Sequence, residues 1–207
     1  SEAADLNLSL EEVSTIARRG SSSAARSVTG GFSILHSSEE DSTCKSTQIE
    51  DGFSDDLRII VAIVPAHKET DSAHSEAADS HMFQARVKYA QSQIFAAMDA
   101  IEIGDFDGTF SLAELDSISL AATTMTGPTG WIYWKPETLM IFETIRTLRE
   151  AGIDAYFSTD TGATVYINTR EKYTSEISDS ISDLGIETQT WQVGGPAILL
   201  DSNEDLF

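Results

Sequence analysis

The sequence predicts an α+β fold in which an antiparallel sheet is layered against helices, and three observations carry that expectation. Leu57-Arg-Ile-Ile-Val-Ala-Ile-Val64 is a short β-branched run stopped by Pro65, which reads as a buried strand. Helical spacing then dominates from about residue 79 to residue 151. Beyond it, Ala155-Tyr-Phe-Ser158 and Thr164-Val-Tyr-Ile167 flank an Asp-Thr-Gly turn as a strand pair. The order strand, helices, strand, strand, helix, strand suits antiparallel pairing with helices packed on the sheet.

Each element has a local reason. Ser9 is a candidate N-cap with Glu12 as its capping-box partner, and Leu10, Val13, Ile16 and Ala17 give a helical face that stops at Gly20. A second short helix is expected near Ala24, and Gly31 to His36 reads as a strand entry. Residues 37–56 are polar, acidic and without periodicity, so a surface loop is expected there. From Asp79 to Ile103 the positions Met82, Val87, Ala90, Ile94, Ala97, Met98 and Ile101 follow helical spacing. Another helix runs from about Phe106 to Met125 and is broken by Gly127-Pro128. Pro136 suits the first turn of a third, ending near Ala151-Gly152. A helix from about Glu171 to Leu184 and a strand from Thr188 to Val193 close the pattern, with neither internal repeats nor a clear linker.

Composition narrows the function classes. The 207 residues contain 34 acidic against 13 basic side chains, a formal net charge of −21. Such a surface repels phosphate backbones, which argues against nucleic-acid binding. It also repels itself at low salt, whereas at ~1 M salt the Debye length falls to roughly 3 Å and the repulsion is screened. The acids are spread through periodic segments rather than blocked into a tail, so the acidity reads as adaptation to a salt-rich cytoplasm. No apolar run approaches the ~18 residues of a membrane span, and the start Ser1-Glu-Ala-Ala-Asp5 lacks the features of a secretory signal. Cys44 is alone, which excludes an internal disulfide, fits a reducing cytosol and reads as an unreactive thiol in a polar loop.

Two segments carry chemistry. Gly20-Ser-Ser-Ser-Ala-Ala-Arg-Ser-Val-Thr-Gly-Gly31 joins hydroxyls at a helix start to an arginine and a glycine pair. Helix N–H groups with hydroxyls alongside suit phosphate or carboxylate, and the Arg26 fork suits a planar carboxylate. Asp160 ends an apolar strand on Thr161-Gly162, where it is either a functional acid or an ordinary turn aspartate. Asp160-Thr-Gly also matches an aspartic-protease pattern, but no second copy exists to share the proton. His67, His74 and His81 recur every seven residues without the close pairing of a zinc site, and a solvated face is the better account. Lys68, Thr70 and Ser72 form a cation-hydroxyl cluster that could meet an anionic substrate or cap the next helix.

On these residues the chain resembles the mevalonate diphosphate decarboxylases of the GHMP kinase superfamily. The Gly20–Gly31 segment resembles the family's Gly-Ser-Gly-Ser-Ala-x-Arg-Ser-x-x-Gly-Gly, with Ser22 in place of a glycine. Tyr133-Trp-Lys-Pro-Glu-Thr138, Tyr156-Phe-Ser-Thr-Asp-Thr-Gly-Ala-Thr164 and Gly194-Gly-Pro-Ala-Ile-Leu-Leu200 are similar to three further family segments in the same order. The family Pro-Asn after the aspartate turn is Ala163-Thr164 here, a family histidine aligns with Ala121, and its asparagine partner aligns with Asp116.

The resemblance implies a GHMP kinase-like C-terminal domain with a ferredoxin-like core over 57–207, and a remnant of the N-terminal domain over 1–56. The family's N-terminal glycine-serine loop for ATP phosphates has no counterpart before Ser1, so the chain is expected to be part of a longer enzyme. The implied reaction is ATP- and Mg²⁺-dependent decarboxylation of mevalonate 5-phosphate or 5-diphosphate to an isopentenyl product. By motif position Asp160 and Arg26 would be catalytic. Ser21, Ser23 and Arg26, with Lys68 and Ser72, would bind the phosphorylated mevalonate. The expected protein is cytoplasmic, binds neither nucleic acid nor membrane, and could be a homodimer, as family members often are. The acidity favours the monophosphate branch found in salt-adapted archaea. The alternatives are a mevalonate 3-kinase-like phosphotransfer without CO2 release, and a non-catalytic anion-binding fragment.

Overall fold

A computed structural model describes residues 7–38, 40, 43–65 and 70–198. The described parts of Ser1–Asp51 and Val193–Phe207 form one unit, and Gly52–Gln192 form another.

In the first unit, helix α1 (Leu10–Ala17) starts with the expected capping box, in which Ser9 and Glu12 bond each other's backbone N–H groups. Of the apolar face that the spacing gave, Leu10 and Ile16 are exposed and Val13 and Ala17 are half-buried. The buried residue is Ser14, whose hydroxyl donates to the Ala25 carbonyl at 3.0 Å and accepts the Ser46 N–H at 2.9 Å. Polar anchoring replaces apolar packing on this face. Helix α2 (Ser22–Thr29) begins two residues before the expected start, with Ser21 as its N-cap. Strand β1 (Phe32–Leu35) lies within the expected entry and pairs antiparallel with β2 (Ser46–Ile49).

Strand β2 corrects the reading of 37–56 as one surface loop. Ser-Thr-Gln-Ile has no apolar alternation, so its pairing rests on backbone hydrogen bonds that composition does not reveal. Cys44 is buried at its start, and Phe53 is buried in the other unit.

The second unit is a four-stranded antiparallel sheet in the order β4-β5-β3-β6, built from β3 (Leu57–Ala62), β4 (Ala155–Ser158), β5 (Val165–Arg170) and β6 (Thr188–Gln192). Five helices accompany it: α3 (Thr70–Ala78), α4 (Phe83–Glu102), α5 (Phe106–Met125), α6 (Pro136–Glu150) and α7 (Thr174–Ser182). Strand order and connectivity are those of the ferredoxin-like core, so the α+β expectation holds. The helix expected from Asp79 is corrected in turn: it begins at Phe83, and α3 precedes it as a separate element. Ser80 lies in the break, buried, with its hydroxyl bonded to that of Thr126 at 2.7 Å and accepting the Met82 N–H. Met82 and Ile94 are exposed, while Ala100 and Ile101 pack inward.

Alternation along β4 sorts the two faces of the sheet. Phe157 stacks on Phe142 of α6 at 3.9 Å between centroids, within a core of Ile60, Ile141, Ile145, Val165, Ile167, Ile177 and Ile181. Tyr156 points the other way, toward Phe106 and Phe110 of α5. Beside it, Arg149 lies over the Tyr156 ring at 4.2 Å, donates Nε–H to the Ala155 carbonyl at 2.9 Å, and pairs with the buried Glu114 at 2.7 Å. Strand β4 is thus held on both faces immediately before Asp160.

Candidate functional site

Two candidate sites are described, one in each unit. In the first unit, an open cavity of about 580 Å³ is lined by Ser23, Arg26, Ser27, Gly30, Gly31, Phe32, Ser33, Gly194 and Gly195. The local sequence builds it. The Ser21 hydroxyl accepts the Ala24 N–H at 3.0 Å and starts α2, which places Ser23 and Arg26 one turn apart on the same side. The Arg26 guanidinium reaches the Ser23 hydroxyl at 3.5 Å and is otherwise exposed to the cavity. Helix α2 ends at Gly30 with φ +69°, in the left-handed region. A Cβ there would lie 2.2 Å from the Gly195 carbonyl carbon, so the glycine also permits a close backbone approach. Gly31 N–H donates to the Gly194 carbonyl at 2.8 Å, and Ala197 N–H to the Val28 carbonyl at 3.0 Å. The result is a polar, backbone-rich cradle with one free-standing cation, suited to a small anion bearing a carboxylate or phosphate.

Of the expected residues, Ser23 and Arg26 line this cavity, while Ser21 caps the helix beneath it. Lys68 lies outside the described residues, and Ser72 falls within α3. Gly30, Ser27, Ser33 and the Gly194-Gly195 pair are cavity residues to which the sequence reading gave no site role. The two glycine pairs, at 30–31 and 194–195, were the available signal, since each marks backbone that must come close to something.

The second site is the turn joining β4 to β5. Asp160 is exposed on it, between the buried Thr159 and Ala163. Tyr166, two residues beyond the turn, packs against Trp191 with 6.5 Å between centroids. Burial raises the Tyr166 phenol's pKa first, and the charge of Asp160 and a hydrogen bond to its carboxylate raise it further. Tyr133 is fully buried beside the same turn, and its hydroxyl makes no hydrogen bond of ordinary geometry. Burial pushes this phenol up as well; the Thr124 hydroxyl opposes the shift and the Asp160 charge adds to it. Asp160 is therefore an exposed carboxylate whose charge helps to raise the pKa of two phenols, after burial in each case. Its position on an apolar strand end is what the sequence indicated; the phenols are not signalled by spacing.

The segment around Tyr133 is anchored through its neighbours. Trp134 meets Phe142 edge-to-face at 5.0 Å, and Trp131 lies 5.0 Å from Tyr133. Asp116 on α5 is engaged by both nitrogens of Arg86 in a bidentate pair, and Ala121 is fully buried in that helix. His74 and His81 are exposed. Among the described residues no group of three or more His, Cys, Asp or Glu side chains could hold a metal ion. No described helix is long and apolar enough to cross a membrane.

Comparison with known proteins finds relatives of this chain. Residues 1–46 match the diphosphomevalonate decarboxylase-like N-terminal domain. The whole chain is 58% identical over 207 residues to a phosphomevalonate decarboxylase of Haloferax volcanii, covering 64% of that protein. Over its whole length the chain is thus closely related to the phosphomevalonate and diphosphomevalonate decarboxylases. Among solved decarboxylases, the mevalonate diphosphate decarboxylase of Staphylococcus aureus superposes with a TM-score of 0.86 at 24% identity, over 93% of this chain and 60% of that one. The Enterococcus faecalis mevalonate diphosphate decarboxylase gives 0.84 at 25% identity, over 92% and 60%. The chain thus spans about two-thirds or less of each of these decarboxylases.

Proposed function

We propose that the protein containing this chain decarboxylates mevalonate 5-phosphate in an ATP-dependent reaction of isoprenoid biosynthesis. The observation that carries the proposal is the 58% identity, across every residue of the chain, to a protein named as a phosphomevalonate decarboxylase. In this reaction ATP phosphorylates the tertiary 3-hydroxyl. The new phosphate ester then departs with its electron pair, the C1–C2 bond breaks to release CO2, and those electrons form the double bond of isopentenyl phosphate.

Arg26 is proposed to hold the C1 carboxylate, for which its fork provides two parallel donors. Ser23 and the capping hydroxyl of Ser21, which still has its own proton to donate, would meet the phosphate end. Lys68 and Ser72 are assigned to the same anionic substrate. Asp160 would orient and deprotonate the 3-hydroxyl and then oppose the positive charge that grows as phosphate leaves. Structures of family members are described as complexes with the substrate, an ATP analogue and magnesium. Mg²⁺ accordingly belongs to the proposed reaction. The described residues of this chain supply no cluster to hold it, and no step is assigned to it. A salt-rich cytoplasm is the proposed location, a reading that the net charge of −21 supports, and a homodimer is the proposed assembly.

The test is CO2 release from mevalonate 5-phosphate and 5-diphosphate, with ATP, Mg²⁺ and molar KCl, by the full-length protein. Faster release from the monophosphate is expected. ATP consumption without CO2 would instead identify a 3-kinase, and binding without turnover an anion-binding fragment. Asp160→Asn should abolish turnover with substrate affinity within a few-fold of the parent; near-normal turnover would remove Asp160 from the mechanism.

A further inference from the structure

The Tyr133-Trp-Lys-Pro-Glu-Thr138 segment has no part in the reaction as proposed, yet its last residue touches the aspartate turn. The last registered pair of the β4–β5 ladder is Ser158 with Tyr166, so the polar backbone groups of 159–164 must be satisfied elsewhere. Two hydroxyls from outside the turn do this at its two ends, and a third, on the turn itself, ties it to the backbone beyond β3. Ser117 of α5 accepts the Thr159 N–H at 3.0 Å. Thr138, the third residue of α6, donates to the Ala163 carbonyl at 2.8 Å. Thr164 bonds both the N–H and the carbonyl of Val64 beyond β3, each at 3.3 Å.

We infer that Thr138 is a positioning residue for Asp160, its buried hydroxyl clamping the far side of the turn that carries the carboxylate. Thr138 is 0% exposed, so it acts on the reaction through the groups that its hydroxyl holds and not by touching substrate. The same hydroxyl accepts the Lys135 N–H at 3.2 Å, which ties the start of α6 to the turn through one oxygen. Pro136 sets that helix start, and further along α6 Phe142 stacks on Phe157 of β4 while Ile141 and Ile145 are buried in the core, so the helix is anchored on the sheet independently of the turn. Ser117 holds the near side in the same manner, itself buried and bonded to the Ala113 carbonyl at 2.9 Å. Asp160 is thereby an exposed side chain on a backbone fixed at both flanks. A misplacement of about 1 Å at such a position can cost ~10²-fold in rate.

The inference rests on the proposed role of Asp160, and its test separates the two. Thr138→Val, Thr138→Ser and a control, Thr169→Val, would be compared in the full-length protein. Thr169 is equally buried and donates to the Asp154 carbonyl at 2.6 Å, at the opposite end of β5. Decarboxylation kinetics and amide hydrogen exchange of residues 160–163 would be read on each. Thr138→Val is expected to lower kcat roughly ten- to hundredfold with KM within about twofold, and to speed exchange in the turn. Thr138→Ser should restore both readouts to within about threefold, and Thr169→Val should lower the melting temperature while keeping kcat. A Thr138→Val protein with kcat within about twofold of the parent, or a Thr169→Val protein with an equal loss, overturns the inference. If the parent itself releases no CO2, the functional reading fails, and exchange alone then decides: unchanged protection overturns the clamp, and faster exchange confined to the turn upholds it.

Discussion

Arg149→Met removes three interactions at once, and the structure sets the size of the loss. The Arg149 side chain is 31% exposed and that of Glu114 only 9%, so the substitution strands a carboxylate in a nearly dry site. Removing one partner of a buried ion pair costs about 3–5 kcal/mol. The partial exposure of Arg149 reduces that to about 2–3 kcal/mol here, because solvent already screens the cation. Loss of the Nε–H bond to Ala155 adds about 1 kcal/mol, and loss of the contact over Tyr156 adds about 0.5 kcal/mol. The expected total is about 4 kcal/mol, or a fall in melting temperature of roughly 8–16 °C for a chain of this size. Urea unfolding in molar KCl would measure it. The decisive comparison adds Glu114→Gln, which discharges the stranded acid. The double variant should recover about 1.5 kcal/mol of the sum of the two single losses. If the two losses simply add, within about 0.5 kcal/mol, the pair is not coupled and the reasoning fails.

Three other outcomes follow from features already described. Gly30→Ala forces a side chain into the left-handed region and against the Gly195 backbone, so the anion cradle should open and substrate affinity should fall at least tenfold. Isothermal titration of the full-length protein with mevalonate 5-phosphate would show this, and parent-like affinity would contradict the close approach. Burial, a hydrogen bond to Asp107 and that residue's charge push the Tyr156 phenol up to about 12. Its neutral form is favoured in the folded chain, so its contribution is complete below the unfolded phenol's pKa and is lost as pH rises from about 10 through about 12. Tyr156→Phe should flatten that part of the urea midpoint profile, and a profile identical to the parent's would exclude the linkage. Finally, with a net charge of −21, the melting temperature should climb steeply between about 0.1 M and about 1 M KCl as self-repulsion is screened. A flat response would show that the acidity does not burden the fold.

The elements most legible in the sequence were those whose cause is local. Asp105 caps α5 by accepting the Gly108 N–H, and Gly127-Pro128 follows its end, so its bounds could be read without knowing what it packs against. The same holds for α6 behind Pro136 and for the β4–β5 hairpin around Asp160-Thr-Gly162. Strand β2 was missed because Ser-Thr-Gln-Ile becomes a strand only when β1 is present to pair with it. The spacing in α1 gave the helix but not its burial, because spacing reports which residues share a face and not whether anything covers that face. In the site, Arg26 and Ser23 were legible from their motif, whereas the glycine contact between residues 30 and 195 joins positions far apart in sequence.

By itself the sequence determined the antiparallel α+β arrangement, the family resemblance and the acidic surface, because each depends on residue type and spacing over short distances. Only the tertiary structure decided that Gly194 returns to Gly31, that the charge of Asp160 is felt by the phenols of Tyr133 and Tyr166, and that Ser117 and Thr138 hold its turn. A hydroxyl carries no mark of its partner. Whether it is solvated, caps a helix or clamps a loop is set by which backbone group the fold leaves unsatisfied beside it.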